Sequence, residues 1–173
     1  DYAVDVEKCE QFAKEIGAEK LVLHLWGGMA SDGYIQNNTA AYPHLREIAD
    51  TYGLSLLVEN VVCNTENPMK HLCELREAYP DIHFLFDTKM AAFHDELELL
   101  YDPEYDWLWK EGHIRHYHVN DYAGGYMEWA NLSALPVGTG KLDMERFFEF
   151  LRSIRYNGDI TTEGVAFDDE GNV

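Results

Sequence analysis

The chain has 173 residues, 46% of them hydrophobic and 26% charged, with a formal net charge of −19. Those proportions suit one soluble globular domain over residues 1–173 and exclude a disordered or collagen-like chain. So acidic a chain repels phosphate backbones and anionic bilayers, and no apolar run of about 18 residues offers a membrane span, so neither nucleic acid nor membrane is expected as a partner.

Cys9, Cys63 and Cys73 are an odd count without CxxC spacing, which points to a reducing, cytoplasmic setting rather than a disulfide scaffold. No leader peptide is visible, and the start at Asp1 rather than Met reads as a piece of a longer protein.

In chain order, DVEKCEQFAKEIGA places Val6, Cys9, Phe12, Ala13 and Ile16 on one helical face, and Gly17 stops the helix. KLVLHLW (20–26) is a short apolar run without clean alternation, the pattern of a buried strand. Pro43 is expected to open a second helix with Leu45, Ile48, Ala49 and Tyr52 at helical spacing, ended by Gly53. LSLLVEN (54–60) is the next strand. Asn67-Pro68 is a cap followed by a first-turn proline, and Met69, Leu72 and Leu75 carry that helix towards Pro80. IHFLFD (82–87) is the third strand, followed by helical material to Gly112, and IRHYHVN (114–120) is the fourth. A long loop over roughly 121–141 precedes a helix capped by Asp143, with Phe147, Phe150, Leu151 and Ile154 inward, and GDITTEG (158–164) is the fifth strand.

Strands alternating with helices make a parallel sheet. Each strand ends in a polar residue able to bind a ligand: His24, Glu59, Asp87, His118 and Glu163. An open sheet gathers its chemistry at one switch point, whereas in a (β/α)8 TIM barrel every strand end points at a shared mouth. Five such ends out of five favour the α/β barrel.

Glu59, Asp87, His118 and Glu163 follow one another at intervals of about one strand–helix unit. Carboxylates with an imidazole suit a hard or borderline divalent ion such as Mn, Mg, Co or Zn. Singly, each has a plainer reading, since an acidic residue after a strand often caps the next helix and a histidine often serves packing. Four such groups crowded at one mouth, however, would be costly to desolvate without a cation. His116 shares a strand face with His118, and Asp121 is close enough to orient an imidazole. GTGK at 138–141 is not a phosphate-binding loop, because it lacks the full glycine–lysine spacing and follows no strand.

The pieces LVLHLWGG, LLVENV, FLFDTKMA, IRHYHVND and VGTGKLDMERFFEFLRSIRYNGDITTEG, in this order, resemble the xylose isomerase-like TIM barrel superfamily, which includes sugar-phosphate isomerases and epimerases and the AP endonuclease family 2 type. The resemblance runs from the first helix to Glu163. It implies a TIM barrel of roughly 250 residues, of which this chain carries about the last five units, without the first strands and the last helix. It also implies a metal-dependent sugar or sugar-phosphate isomerase or epimerase, with Glu59, Asp87, His118 and Glu163 holding the ion. Glu59 and Glu163 then act as paired acid and base on either side of an enediolate. His24 matches a substrate-facing position, and Asp121 an acidic residue three after the metal histidine. His116 and Trp26 are further expected substrate contacts, with Trp129 and Tyr122 as other stacking candidates. Where the family often has a histidine, three residues after the Asp, this chain has Met90, and Lys89 is either an exposed lysine at a helix start or a source of positive charge to the substrate instead; His94 is expected at the surface. A dehydratase of the same superfamily, such as an inosose or dehydroshikimate dehydratase, and a non-catalytic sugar-binding barrel remain alternatives. Exposed sheet edges in a five-strand piece make a homo-oligomer the expected state.

Overall fold

All five expected strands form, each within its expected segment: β1 (Lys20–Leu23), β2 (Ser55–Glu59), β3 (His83–Asp87), β4 (Ile114–His118) and β5 (Asp159–Thr161). The structure is a computed structural model and describes residues 2–27 and 32–164, with side chains from residue 5 onward. Between the strands run α1 (Tyr2–Glu15), α2 (Ile35–Tyr52), α3 (Pro68–Ala78), α4 (Thr88–Phe93), α5 (Trp107–Lys110) and α6 (Met144–Ser153), with short 3₁₀ turns that include Leu97–Tyr101 and Pro103–Tyr105. The chain divides into two units, residues 1–84 and 85–173, with the boundary inside β3.

In the first unit β1 pairs with β2 in parallel, with Leu23 opposite Val58. One step further in that register come His24 and Glu59. Leu56, Leu57 and Val58 are buried, as a strand covered on both faces requires. Asn67 caps α3 by accepting the Lys70 N–H at 2.8 Å, and Met69, Leu72 and Leu75 are buried.

Two helices depart from expectation. Pro43 lies inside α2 rather than opening it. A proline there removes the N–H that would bond the carbonyl four residues back. The Tyr79 hydroxyl supplies the missing donor, bonding the Thr39 carbonyl at 2.8 Å, so the helix continues through the proline. Gly53 then ends it at φ 72°, a left-handed conformation that glycine adopts without steric cost.

In α1 the buried face is Val6, Glu10 and Ala13, while Cys9 is exposed and Phe12 and Ile16 are 62% and 65% exposed. Helical spacing identifies two overlapping stripes here, and packing against α2 decides which one is covered. Its cost falls on Glu10. Both carboxyl oxygens are buried without a hydrogen-bond partner, and burial, with the nearby Glu7 charge as the smaller cause, pushes its pKa up to about 7. A carboxyl whose native pKa is raised retains a proton that the unfolded chain releases. The native state is therefore favoured below about 4.5 and loses that advantage as pH rises towards 7. Glu10→Gln should melt close to the wild type at pH 5 and clearly above it at pH 8. A melting-point difference independent of pH would show that the carboxyl is not held protonated.

In the second unit β4 pairs with β5 in parallel, with His118 opposite Thr161. Tyr117 points to the opposite strand face, fully buried, with edge contacts to Phe86, Phe147 and Tyr156 at ring distances of 4.9–6.0 Å. This alternation puts His116 and His118 together on the other face, their rings 5.3 Å apart. Asp143 caps α6 by accepting the Arg146 N–H at 3.0 Å, and Met144, Phe147 and Leu151 are buried along it.

Candidate functional site

At the end of β3, Asp87 divides its two oxygens. Oδ1 accepts the backbone N–H groups of Lys89 and Met90 at 2.7 and 3.1 Å and so caps α4. Oδ2 lies 4.0 Å from His118 Nδ1. Glu163 follows β5, and its Oε1 is 3.5 Å from the same His118 nitrogen. The capping role is thus real, and it uses one oxygen while leaving the other beside the imidazole. Asp87 is fully buried, His118 mostly so, and the Glu163 side chain is 43% exposed.

Asn120, which the sequence reading passed over, holds this group together. Its side-chain N–H₂ donates to Asp87 Oδ2 at 3.0 Å and to Glu163 Oε2 at 2.9 Å. Its carbonyl oxygen accepts the backbone N–H groups of Glu163 and Gly164 at 2.8 and 3.2 Å. The only signal in the sequence was a polar residue two after the metal-type histidine.

Lys89 is buried rather than exposed at the helix start, with Nζ 4.0 Å from Asp87 Oδ2. His116 meets the Thr161 hydroxyl at 2.8 Å. His94 is buried rather than at the surface, its ring against Phe93 at 5.0 Å.

Asp121 is fully buried and turned to its own loop. Oδ1 accepts the N–H groups of Tyr122 and Leu142, and Oδ2 those of Gly138 and Gly140, at 2.8–3.1 Å. All four donors are backbone, so the carboxylate organises the 138–142 turn instead of facing a substrate or an imidazole. The glycines belong to that turn. Gly138 has φ 84°, and a Cβ on Gly140 would come within 2.6 Å of Asp121 Cγ and of the Tyr122 carbonyl. Tyr122 is buried with its hydroxyl on the Gly125 carbonyl, whereas Trp129 is 38% exposed and packs edge-on to Phe93.

In the first unit, His24 Nε2 lies 2.6 Å from Glu59 Oε2, with Glu59 buried and the His24 side chain 58% exposed. His24, Leu25, Trp26, Asn38 and Leu45 line a cavity of about 480 Å³. Trp26 is a wall of it rather than an open stacking surface: it is 2% exposed and donates its indole N–H to the Val61 carbonyl at 2.8 Å. Asp32 Oδ2 accepts from Asn64 N–H, Thr65 N–H and the Thr65 hydroxyl at 2.6–2.8 Å, tying the 3₁₀ turn Asp32–Tyr34 to the turn after β2. Burial alone would push its pKa up, but these bonds, together with one from the Glu66 backbone, outweigh that and bring it down to about 2.

A carboxylate oxygen of Asp87, one of Glu163 and an imidazole nitrogen form the donor set of a hard to borderline divalent cation. Ligand atoms at about 2.1 Å from one ion lie roughly 3 Å apart. The His118 nitrogen lies 4.0 and 3.5 Å from the Asp87 and Glu163 oxygens, so side chains must shift to bring the three onto one ion, and their donor chemistry suits it.

The family model described as xylose isomerase-like TIM barrel matches residues 3–171. None of the curated proteins matches the chain. Among solved structures, the xylose isomerase domain protein from Planctomyces limnophilus superposes with a TM-score of 0.69 at 20% identity, over 93% of this chain and 58% of that one. An IolI protein with a bound zinc atom gives 0.62 at 15%, over 92% and 59%. A D-allulose 3-epimerase from Methylomonas sp., in complex with D-allulose, gives 0.60 at 19%, over 93% and 55%. The chain spans less than two thirds of each of these structures, and at such identities the likeness is one of fold. That fold is a partial (β/α)8 barrel with five parallel strands. Among the described residues, no helix is long and apolar enough to cross a membrane.

Proposed function

Because the chain belongs to the xylose isomerase-like TIM barrel family, we propose that it supplies the catalytic strand ends of a metal-dependent sugar or sugar-phosphate isomerase or epimerase. The observation that carries this reading is the placing of His118 Nδ1 between oxygens of Asp87 and Glu163. Asp87, His118 and Glu163 would hold one divalent ion, and Glu59 is assigned to it as a fourth ligand on the family resemblance. When bound, such an ion supplies Lewis-acid polarisation of neighbouring carbonyl and hydroxyl oxygens on a sugar.

The chain's own residues do the proton work. Glu59 and Glu163 are carboxylates on different strand ends, and each is assigned one face of the substrate carbon. One takes the C–H proton and the other returns a proton to the opposite face, which inverts the centre; return by the first restores it. His24, hydrogen-bonded to Glu59, holds that carboxylate in one orientation and lines the 480 Å³ cavity beside it. Lys89 brings positive charge next to Asp87, suited to a developing oxyanion. His116 and the exposed Trp129 are assigned to the sugar itself. Asp121 and Trp26 act indirectly, through the loop and the cavity wall. The assembled protein is proposed to be a cytoplasmic homo-oligomer.

The test is metal-dependent stability. After chelation, adding Mn²⁺ to the intact protein should raise its melting temperature, since an ion at a hundred times its Kd stabilises by about 2.7 kcal/mol. The rise should vanish in Asp87→Asn. An unchanged midpoint in the wild-type protein would overturn the metal site.

A further inference from the structure

The six hydrogen bonds of Asn120 are divided with unusual economy. Its side chain donates one N–H to Asp87 Oδ2 and the other to Glu163 Oε2, while its carbonyl oxygen takes two backbone N–H groups after β5. The orientation of the amide follows from chemistry, since only the N–H₂ end has hydrogens to give two carboxylates and only the oxygen can accept two N–H groups. Its backbone is held as firmly. The Asn120 N–H donates to the Thr88 hydroxyl at 3.0 Å, and that hydroxyl donates to the Asn120 carbonyl at 2.7 Å. Asn120 and Thr88 are both fully buried. One rigid amide therefore fixes an oxygen on each of two carboxylates that come from different strands.

We infer that Asn120 is a positioning residue for the cation site, setting the orientation of the Asp87 and Glu163 carboxylates towards His118. This rests on the metal reading above. The physical need is clear. Two carboxylates beside one imidazole repel each other, and Glu163, 43% exposed on a short strand end, has rotamers that carry its oxygens into solvent. A shared N–H₂ placed against both offsets that repulsion. It also occupies Glu163 Oε2, so that Oε1 is the oxygen left facing the histidine. Outer-shell partners of this kind set metal affinity because they remove the cost of ordering the ligands when the ion arrives.

The experiment compares Asn120→Ala with Thr88→Val in the intact protein, reading Mn²⁺ affinity by calorimetric titration alongside the melting temperature of each metal-free form. Thr88→Val breaks the tie to the Asn120 backbone, and a longer contact to the His118 carbonyl at 3.4 Å, without touching either carboxylate. Asn120→Ala should lose about 10- to 100-fold in Mn²⁺ affinity, whereas Thr88→Val should melt earlier but bind Mn²⁺ within about threefold of the wild type. If Asn120→Ala fails to fold, Asn120→Ser, which keeps a hydroxyl for the backbone N–H groups but cannot reach both carboxylates, is read in its place with the same loss expected. Wild-type affinity in the folded Asn120 variant, or an equal loss in both variants, would reduce Asn120 to a structural role and overturn the inference. A wild-type protein that binds no Mn²⁺ would overturn the metal reading instead, so the two failures are distinguishable.

Discussion

If the proposed paired-glutamate mechanism operates, Glu59→Gln and Glu163→Gln should each lower turnover of a sugar substrate by the intact protein by about 10²- to 10⁴-fold, the usual cost of a lost general base. Glutamine preserves the shape and one metal-capable oxygen, so Mn²⁺ binding should weaken only modestly while proton transfer fails. Exchange with deuterated solvent separates the two roles. If each carboxylate serves one face of the substrate carbon, each variant still exchanges the proton on the face whose glutamate remains, although neither inverts the centre. Asp87→Asn should behave differently, since its carboxylate holds the cap of α4 and lies beside His118: metal affinity and every catalytic step should fall together. Near wild-type turnover in both glutamine variants would show that the paired-glutamate mechanism is wrong.

Asp121→Ala is the substitution expected to cost most stability. It removes a fully buried carboxylate and strands four backbone N–H groups, those of Tyr122, Gly138, Gly140 and Leu142. Each buried donor left without an acceptor costs about 1–3 kcal/mol, reduced where water can enter the relaxed loop. A total loss of roughly 3–5 kcal/mol is expected, as for other broken buried networks. Asp121→Asn keeps one acceptor oxygen and should recover part of it. The readout is chemical denaturation together with amide hydrogen exchange at 138–142. Fast exchange in that turn with intact protection at Tyr117 and Val119 would place the damage in the loop. Unchanged stability would show that the carboxylate does not organise it.

The strand ends were legible in the sequence because their signals are local. The expected segments contained all five strands, overrunning their ends by up to three residues, and a polar residue at or near each end offered His24, Glu59, Asp87, His118 and Glu163. The Asn67 and Asp143 caps could likewise be read directly, since a cap needs only a side-chain oxygen two or three residues before its N–H. Alternation along β4 put His116 and His118 on one face before any packing was known.

What only the tertiary structure decided were choices between side-chain partners far apart in the chain. Pro43 would open a helix on local grounds, and it is the Tyr79 hydroxyl, thirty-six residues later, that supplies the donor it lacks inside one. The stripe of α1 that is buried depends on α2, which turns Glu10 inward and Phe12 outward against the hydrophobic pattern. The neighbours Asn120 and Asp121 are both polar, both buried and indistinguishable by spacing, yet one reaches Asp87 and Glu163 while the other reaches Gly138 and Gly140. Sequence determines where the backbone turns and which groups it can offer; which carboxylate finds an N–H and which is left to hold a cation is settled by desolvation and hydrogen-bond satisfaction, and these act only once distant segments meet.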